Sequence, residues 1–238
     1  TYVKQGKTVL IVSHSNVSVD GVIKKIIQLL DVDMEPDLKA GKILRYGYVR
    51  DEELSKHPYA TSFNFALSKC KSLAADLDEL TLKRDELKAK KKEKTEEYDG
   101  IEKKIKRIRN EIRKEEKRYV ERAQLIGTTI SRATIDPIFE MRQFDLVMFD
   151  EVSMAYVPQV IAAATLSKEK FICVGDFRQL APISQCPDAK LLKTDIFSYL
   201  KIIDSVGHMY WHPWLVMLNE QRRMHPDIAG FPNKYIYK

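Results

Sequence analysis

The chain has 238 residues, enough for one large domain or two small ones, and 44% of them are hydrophobic, which excludes a disordered or fibrous polypeptide. The formal net charge of +6 suits a polyanionic partner without demanding one. Three widely spaced cysteines, Cys70, Cys173 and Cys186, form neither a disulfide framework nor a zinc pattern, so the expected setting is a reducing, intracellular one, cytoplasm or nucleus.

No run approaches the ~18 apolar residues of a membrane span. TYVKQGKTV reads as the tail of a helix, closed by Gly6 and running into a strand. That strand, within KTVLIVSHS, ends among small polar residues. Val19, Val22, Ile23, Ile26, Ile27 and Leu30 then recur at helical spacing, with Asn16 as the expected N-cap. KILRYG (42–47), LIGTT (125–129), DLVMFD (145–150), KFICVG (170–175) and WLVMLN (214–219) read as strands. PQVIAAATLS and AKLLKTDIFSYLK read as helices between them. Buried strands alternating with helices predict an α/β fold with a parallel sheet. In such sheets ligands bind beyond the carboxyl ends of the strands, where Ser13, Asp150 and Asp176 fall.

Residues 66–124 break the pattern, with no proline and a single glycine, Gly100. Leu73, Leu77, Leu80 and Leu87, then Tyr98, Ile101, Ile105, Ile108, Ile112 and Tyr119, follow heptad spacing, with Lys91 and Lys94 interrupting the seam. One continuous helix of this length would reach roughly 85 Å at about 1.5 Å per residue. The next strand must return to the sheet, so an antiparallel helical hairpin is expected, turning within 90–100, at Asp99-Gly100. From Lys71 to Arg122 there are 18 Lys and Arg against 14 Asp and Glu, a net charge of +4. Such a stalk is either a solvated coiled coil or a surface for nucleic acid or a protein partner. The expected division is 1–65 and 125–238 for the two parts of the α/β domain, with 66–124 as the insert.

Three polar clusters carry chemistry. The apolar strand 145–149 ends in two adjacent carboxylates, Asp150 and Glu151, which are costly to bury. This is the Walker B arrangement, in which the Asp holds Mg²⁺ and the Glu activates the water that attacks a γ-phosphate. CVGDFRQLAPI (173–183) ends a strand in Gly175-Asp176, expected to turn tightly, and carries Gln179, whose amide can contact a phosphate. LNEQRRMHP (218–226) brings Gln221, Arg222, Arg223 and His225 together, and adjacent arginines suit phosphate.

In this order the clusters resemble the first motor domain of superfamily 1 helicases. The branch is the 5′-to-3′ group that includes the nonsense-mediated decay RNA helicase and senataxin. DEVS stands for that family's Asp-Glu-Ala-Ser motif, GDFRQLAP for Gly-Asp-x-x-Gln-Leu-Pro-Pro, and QRRMHP for Gln-Tyr-Arg-Met-His-Pro. Ala181 and Arg222 depart from the pattern. SHSNVSVD resembles the family's Ser-Asn-x-Ala-Val-Asp motif, and LIGTTISRA its next nucleic-acid-contacting motif. The resemblance implies a RecA-like sheet carrying an inserted helical stalk, with ATP and Mg²⁺ as cofactors. It implies Asp150 and Glu151 at the metal, Glu151 as general base, and Gln179 and Arg223 sensing the γ-phosphate. Asp176 and Gln221 would join the nucleotide site. Ser15, Asn16, Thr128 and Thr129 would grip a single strand of DNA or RNA.

No G-x-x-x-x-G-K-[ST] loop is present. QGKT (5–8) imitates its end but leads into a strand, whereas a phosphate loop leads into a helix. In the family that loop follows a strand expected beside the Asp150 strand. The chain is therefore expected to be a fragment with an incomplete sheet, lacking the phosphate loop and second motor domain and inactive alone. The competing reading is a degenerate ATPase domain acting as a nucleic-acid- or protein-binding scaffold.

Overall fold

The computed structural model describes residues 2–29, 35–90, 95–186, 188–203, 210 and 212–237. They form two compact units, Thr1–Asp150 with Gln159–Val174, and Glu151–Pro158 with Gly175–Lys238.

In the first unit a 3-10 turn, Val3–Gln5, is closed by Gly6 in the left-handed region, as the sequence suggests. The elements β1 (Val9–Ser13), α1 (Asn16–Gln28), α2 (Glu35–Lys39), β2 (Ile43–Arg45), α3 (Glu52–Lys56) and α4 (Ser62–Lys69) follow. Two long helices, α5 (Lys71–Ala89) and α6 (Glu96–Arg122), precede β3 (Leu125–Thr129), α7 (Ile130–Ile135) and β4 (Phe144–Asp150). The chain then runs through α8 (Val157–Ala164) into β5 (Ser167–Cys173). The sheet is five-stranded and parallel, in the order β2-β3-β1-β4-β5, an architecture consistent with a RecA-like fold. β4 is paired on both edges, by β1 and β5, because the short α8 crossover returns the chain directly beside it. The expectation of another strand next to β4 is therefore corrected. β5 carries exposed Lys168, Glu169 and Lys170, charges that discourage edge pairing.

β1 is buried on both faces. Leu10 and Val12 leave one side with Ile126, Val147 and Phe149, all fully buried. Val9 and Ile11 leave the other and pack with Val19 and Ile23 of α1. The α1 stripe sits directly on β3 because Gly127 has no side chain there: a Cβ would lie 2.6 Å from Ile23 Cγ1. Burying Val19 and Ile23 contributes about 1.5–3 kcal/mol each. The N-cap is Ser15 rather than Asn16, since the Ser15 hydroxyl accepts from the Ser18 N–H at 3.1 Å. Leu30 lies outside the described residues.

Leu73, Leu77, Leu80 and Leu87 of α5 pack with Ile101, Ile105, Ile108, Ile112 and Tyr119 of α6 and with Ala66 of α4. Asp99 and Gly100 lie inside α6, so the turn expected at Asp99-Gly100 is corrected; helical propensity and the Thr95 N-cap outweigh one glycine. Lys91 and Lys94 lie outside the described residues. The base of α6 is fastened twice. The Glu116 carboxylate accepts from Ser62 Oγ at 2.5 Å, and the Arg142 guanidinium donates to the carbonyls of Val120 and Ala123, the last acceptors of the helix.

In the second unit the 189–201 segment folds as two short helices, α9 (Lys190–Lys193) and α10 (Ile196–Tyr199), rather than one. Asp195 interrupts it by capping α10, accepting from the N–H groups of Phe197 and Ser198. The expected strand at 214–219 does not form. Trp214 and Leu218 are 90% and 85% exposed, and among the described residues no strand lies alongside this apolar run to bond it. α11 (Pro226–Tyr235) is capped by the His225 side chain.

Candidate functional site

The carboxyl edge of the sheet gathers the first group. In the register of β1, Ser13 lies opposite Thr129 of β3 on one side and Asp150 of β4 on the other. Residues in register on parallel neighbours leave the same face. Three polar residues thus close one row of an otherwise apolar sheet, and the carboxylate at the end of β4 stands half-buried at that rim. Thr128 leaves the opposite face and is fully buried, whereas Thr129 is half-buried. Among the described residues, the buried hydroxyls of Ser13 and Thr128 have no hydrogen-bond partner, a cost of about 1–3 kcal/mol each. Glu151 follows Asp150 with φ of 57°, in the left-handed region, which costs a non-glycine residue about 1–2 kcal/mol.

Next to this edge lies a buried ion pair that sequence reasoning missed. Arg45, at the end of β2, is fully buried, and its Nε donates to Asp20 Oδ1 at 2.7 Å. One terminal nitrogen donates to Asn16 Oδ1 at 2.9 Å and to the Tyr48 carbonyl at 2.7 Å. The other donates to the Tyr46 carbonyl. Asp20 Oδ2 accepts the backbone N–H groups of Arg50 at 2.6 Å and Asp51 at 3.1 Å. Burial lowers the Arg45 pKa, opposed by Asp20. The available signal was a lone Arg inside an apolar strand, the same kind of anomaly that marked Asp150. Asn16 is held by this network, while the Ser15 hydroxyl is engaged in its cap.

In the second unit, Asp176 is a hub. Its Oδ1 accepts the Arg178 N–H at 2.9 Å, and its Oδ2 accepts the Gln179 amide at 2.7 Å and the Tyr237 hydroxyl. The hydrogen bond to Asp176, and then burial, raise the Tyr237 pKa. Gly175 serves close approach rather than the expected tight turn: its φ is not positive, and a Cβ there would meet Ser153 N at 3.0 Å and Val152 Cγ1 at 3.1 Å. Gln221 folds back on its own loop, its oxygen accepting from the N–H groups of Arg223 and Met224 and its amide donating to Met224 O at 2.8 Å. Arg222 pairs with Glu220 at 2.6 Å, and Arg223 is exposed. The structure thus joins Asp176 to Gln179, and Gln221 to Arg223.

Lys7 and Thr8 belong to the approach to β1. Lys7 pairs with Glu169 at 2.7 Å, and Thr8 Oγ1 donates to Asp145 at 2.8 Å, which excludes QGKT as a phosphate loop. Among the described residues no group of three His, Cys, Asp or Glu side chains could hold a metal by itself. The Asp150 carboxylate fits Mg²⁺, an ion that takes one or two protein carboxylates and completes its shell with water and substrate phosphates. No helix among the described residues is long and apolar enough to cross a membrane.

Comparison with known proteins agrees with these motifs. A family model described as an AAA domain matches residues 1–185. Regulator of nonsense transcripts 1 of Dictyostelium discoideum is 31% identical over 137 residues, 52% of this chain and 10% of that protein. Helicase sen1 of Schizosaccharomyces pombe is 28% identical over 126 residues, 52% of this chain and 7% of that protein. DNA replication ATP-dependent helicase/nuclease DNA2 of Gallus gallus is 28% identical over 116 residues, 49% of this chain and 11% of that protein. The chain matches about a tenth of the length of these relatives. A family match over most of the chain, on a parallel sheet whose carboxyl edge bears the motif residues, places it in the AAA-domain family of superfamily 1 helicases, in the branch of the nonsense-decay and senataxin-like motors.

Proposed function

We propose that the protein carrying this chain is an ATP-driven translocase on single-stranded DNA or RNA. The observation that carries this reading is the shared register of Ser13, Thr129 and Asp150. The strand expected to serve the nucleotide, β4, adjoins β1, and β1 adjoins β3; β1 leads into Ser15 and Asn16, and β3 ends in Thr128 and Thr129, the residues expected to hold the nucleic acid. A shift at Asp150 therefore meets the nucleic-acid side through two rows of backbone hydrogen bonds, without an intervening loop.

Asp150 and Glu151 would hold Mg²⁺, which when bound neutralises charge on the β- and γ-phosphates. Glu151 takes a proton from the attacking water as its oxygen bonds to the γ-phosphorus and the bond to the ADP oxygen breaks. Gln179, positioned by Asp176, and Arg223, positioned by Gln221, would read the γ-phosphate. Ser15, Asn16 and Thr129 would offer side chains to the strand, whereas Thr128 leaves the opposite, buried face of β3. In the same reading, α5 and α6 form an antiparallel hairpin, an insert within 66–124 between the 1–65 and 125–238 parts of the motor domain. Its inner seam is apolar and its outer faces are charged, which suits nucleic acid or a protein partner.

The test is ATP hydrolysis by the intact protein with and without oligo(dT) or oligo(U). Stimulation by either polymer supports the motor and names its track. Hydrolysis indifferent to both leaves a nucleotide switch, and no hydrolysis leaves a scaffold.

A further inference from the structure

The loop after β2 presents an exposed aromatic ring on a held backbone, and the motor motifs do not use it. Gly47, at φ of 109°, turns the chain so that the flanking tyrosines part. Tyr46 is buried, its hydroxyl donating to Asp136 at 2.6 Å and its ring lying 4.8 Å from the Arg132 guanidinium. Tyr48 is 69% exposed, and among the described residues its ring meets no other ring or cation. Its backbone is nonetheless held, because the Arg45 nitrogen that bonds the Tyr48 carbonyl also bonds Asn16 Oδ1. Asp20 fastens the same loop two residues on, at Arg50. A guanidinium only donates, so the amide atom facing Arg45 is the Asn16 oxygen and the two N–H donors face away.

One buried arginine therefore sets the spacing between an outward aromatic face and an outward pair of donors. Exposed Arg50 adds a cation to this surface. Nearby, Lys24 pairs with both Asp51 at 3.1 Å and Glu53 at 2.6 Å, one cation shared by two carboxylates. A flat ring for a base and amide donors for phosphate or sugar oxygens match a nucleotide of a single strand.

We propose that Tyr48 stacks a nucleobase of a bound single strand beside the Asn16 contact of the proposed motor, with Arg45 the positioning residue for both. This deepens the translocase reading and rests on it. Binding of labelled oligo(dT), oligo(U) and an abasic strand of equal length to the intact protein tests it by fluorescence anisotropy. Tyr48→Ala should weaken the base-bearing strands by about tenfold and leave the abasic strand unchanged, and Tyr48→Phe should bind as wild type. Arg45→Lys keeps the charge and loses the fork, and should weaken the abasic strand as well. Because Tyr48 is a surface residue, its variants stand even where Arg45→Lys fails to fold. Wild-type protein that binds neither polymer overturns the translocase reading and this subsite with it. Wild-type binding with Tyr48→Ala unaffected, or equally weakened on the abasic strand, overturns the subsite alone. The ratio of oligo(dT) to oligo(U) affinity tells which polymer the site prefers.

Discussion

Glu116 is the residue at which the long helices and the α/β body exchange a proton-sensitive contact. Burial raises its pKa, opposed by the Ser62 hydrogen bond and by Arg132 and Arg113. A carboxyl group with a raised folded pKa binds its proton more tightly when folded. Its contribution is therefore fully present below the unfolded value, near 4.5, and is lost as pH rises through the folded value. Glu116→Gln keeps an oxygen for Ser62 and removes the titration. The variant should gain on wild type in melting temperature by a few degrees as pH climbs from acid to neutral, and a gap that stays constant over that range would refute the assignment. Neither Glu116 nor Arg45 was legible in the sequence. A charge among apolar residues announces that something pairs with it, but the partners, Ser62 and Asp20, lie 54 and 25 residues away.

Elements were legible wherever their signal is local. The continuous apolar run of β1 and the helical stripe of α1 set both elements, and the leucines and isoleucines of the α5 and α6 heptads pack together. Ends were read less well, because capping depends on one side chain reaching one N–H: Ser15 takes the cap expected of Asn16. The 214–219 run carries strand composition, yet among the described residues no strand pairs with it. Packing between elements turns on Gly127. Gly127→Ala pushes a methyl group into Ile23, and the overpacked α1–β3 contact should lose about 1–3 kcal/mol in urea unfolding. An unchanged midpoint would mean that α1 shifts at no cost.

At the scale of the whole molecule, the motifs matter because the sheet puts their strands side by side. The prediction belonging here is Glu151→Gln in the intact protein. Turnover should fall by about 10²-fold or more while ATP still binds, since an amide cannot accept the water's proton. Retained turnover removes Glu151 from the role, and lost binding moves it from base to ligand. Asp150 and Glu151 were readable as a pair, but the left-handed backbone at Glu151 was not, because nothing about a glutamate in sequence predicts a positive φ.

The sequence by itself determined the five strands and the α1, α5, α6 and α8 helices of the first unit, that the sheet is parallel, and where its polar ends cluster. Periodicity, caps and breaks in apolar runs are properties of a few neighbouring residues. Only the tertiary structure decided the order β2-β3-β1-β4-β5, the filling of both β4 edges, the buried Arg45–Asp20 pair and the Gly175 contact. Each of these joins residues distant in the chain, and such contacts follow from burial and hydrogen bonding across the assembled fold.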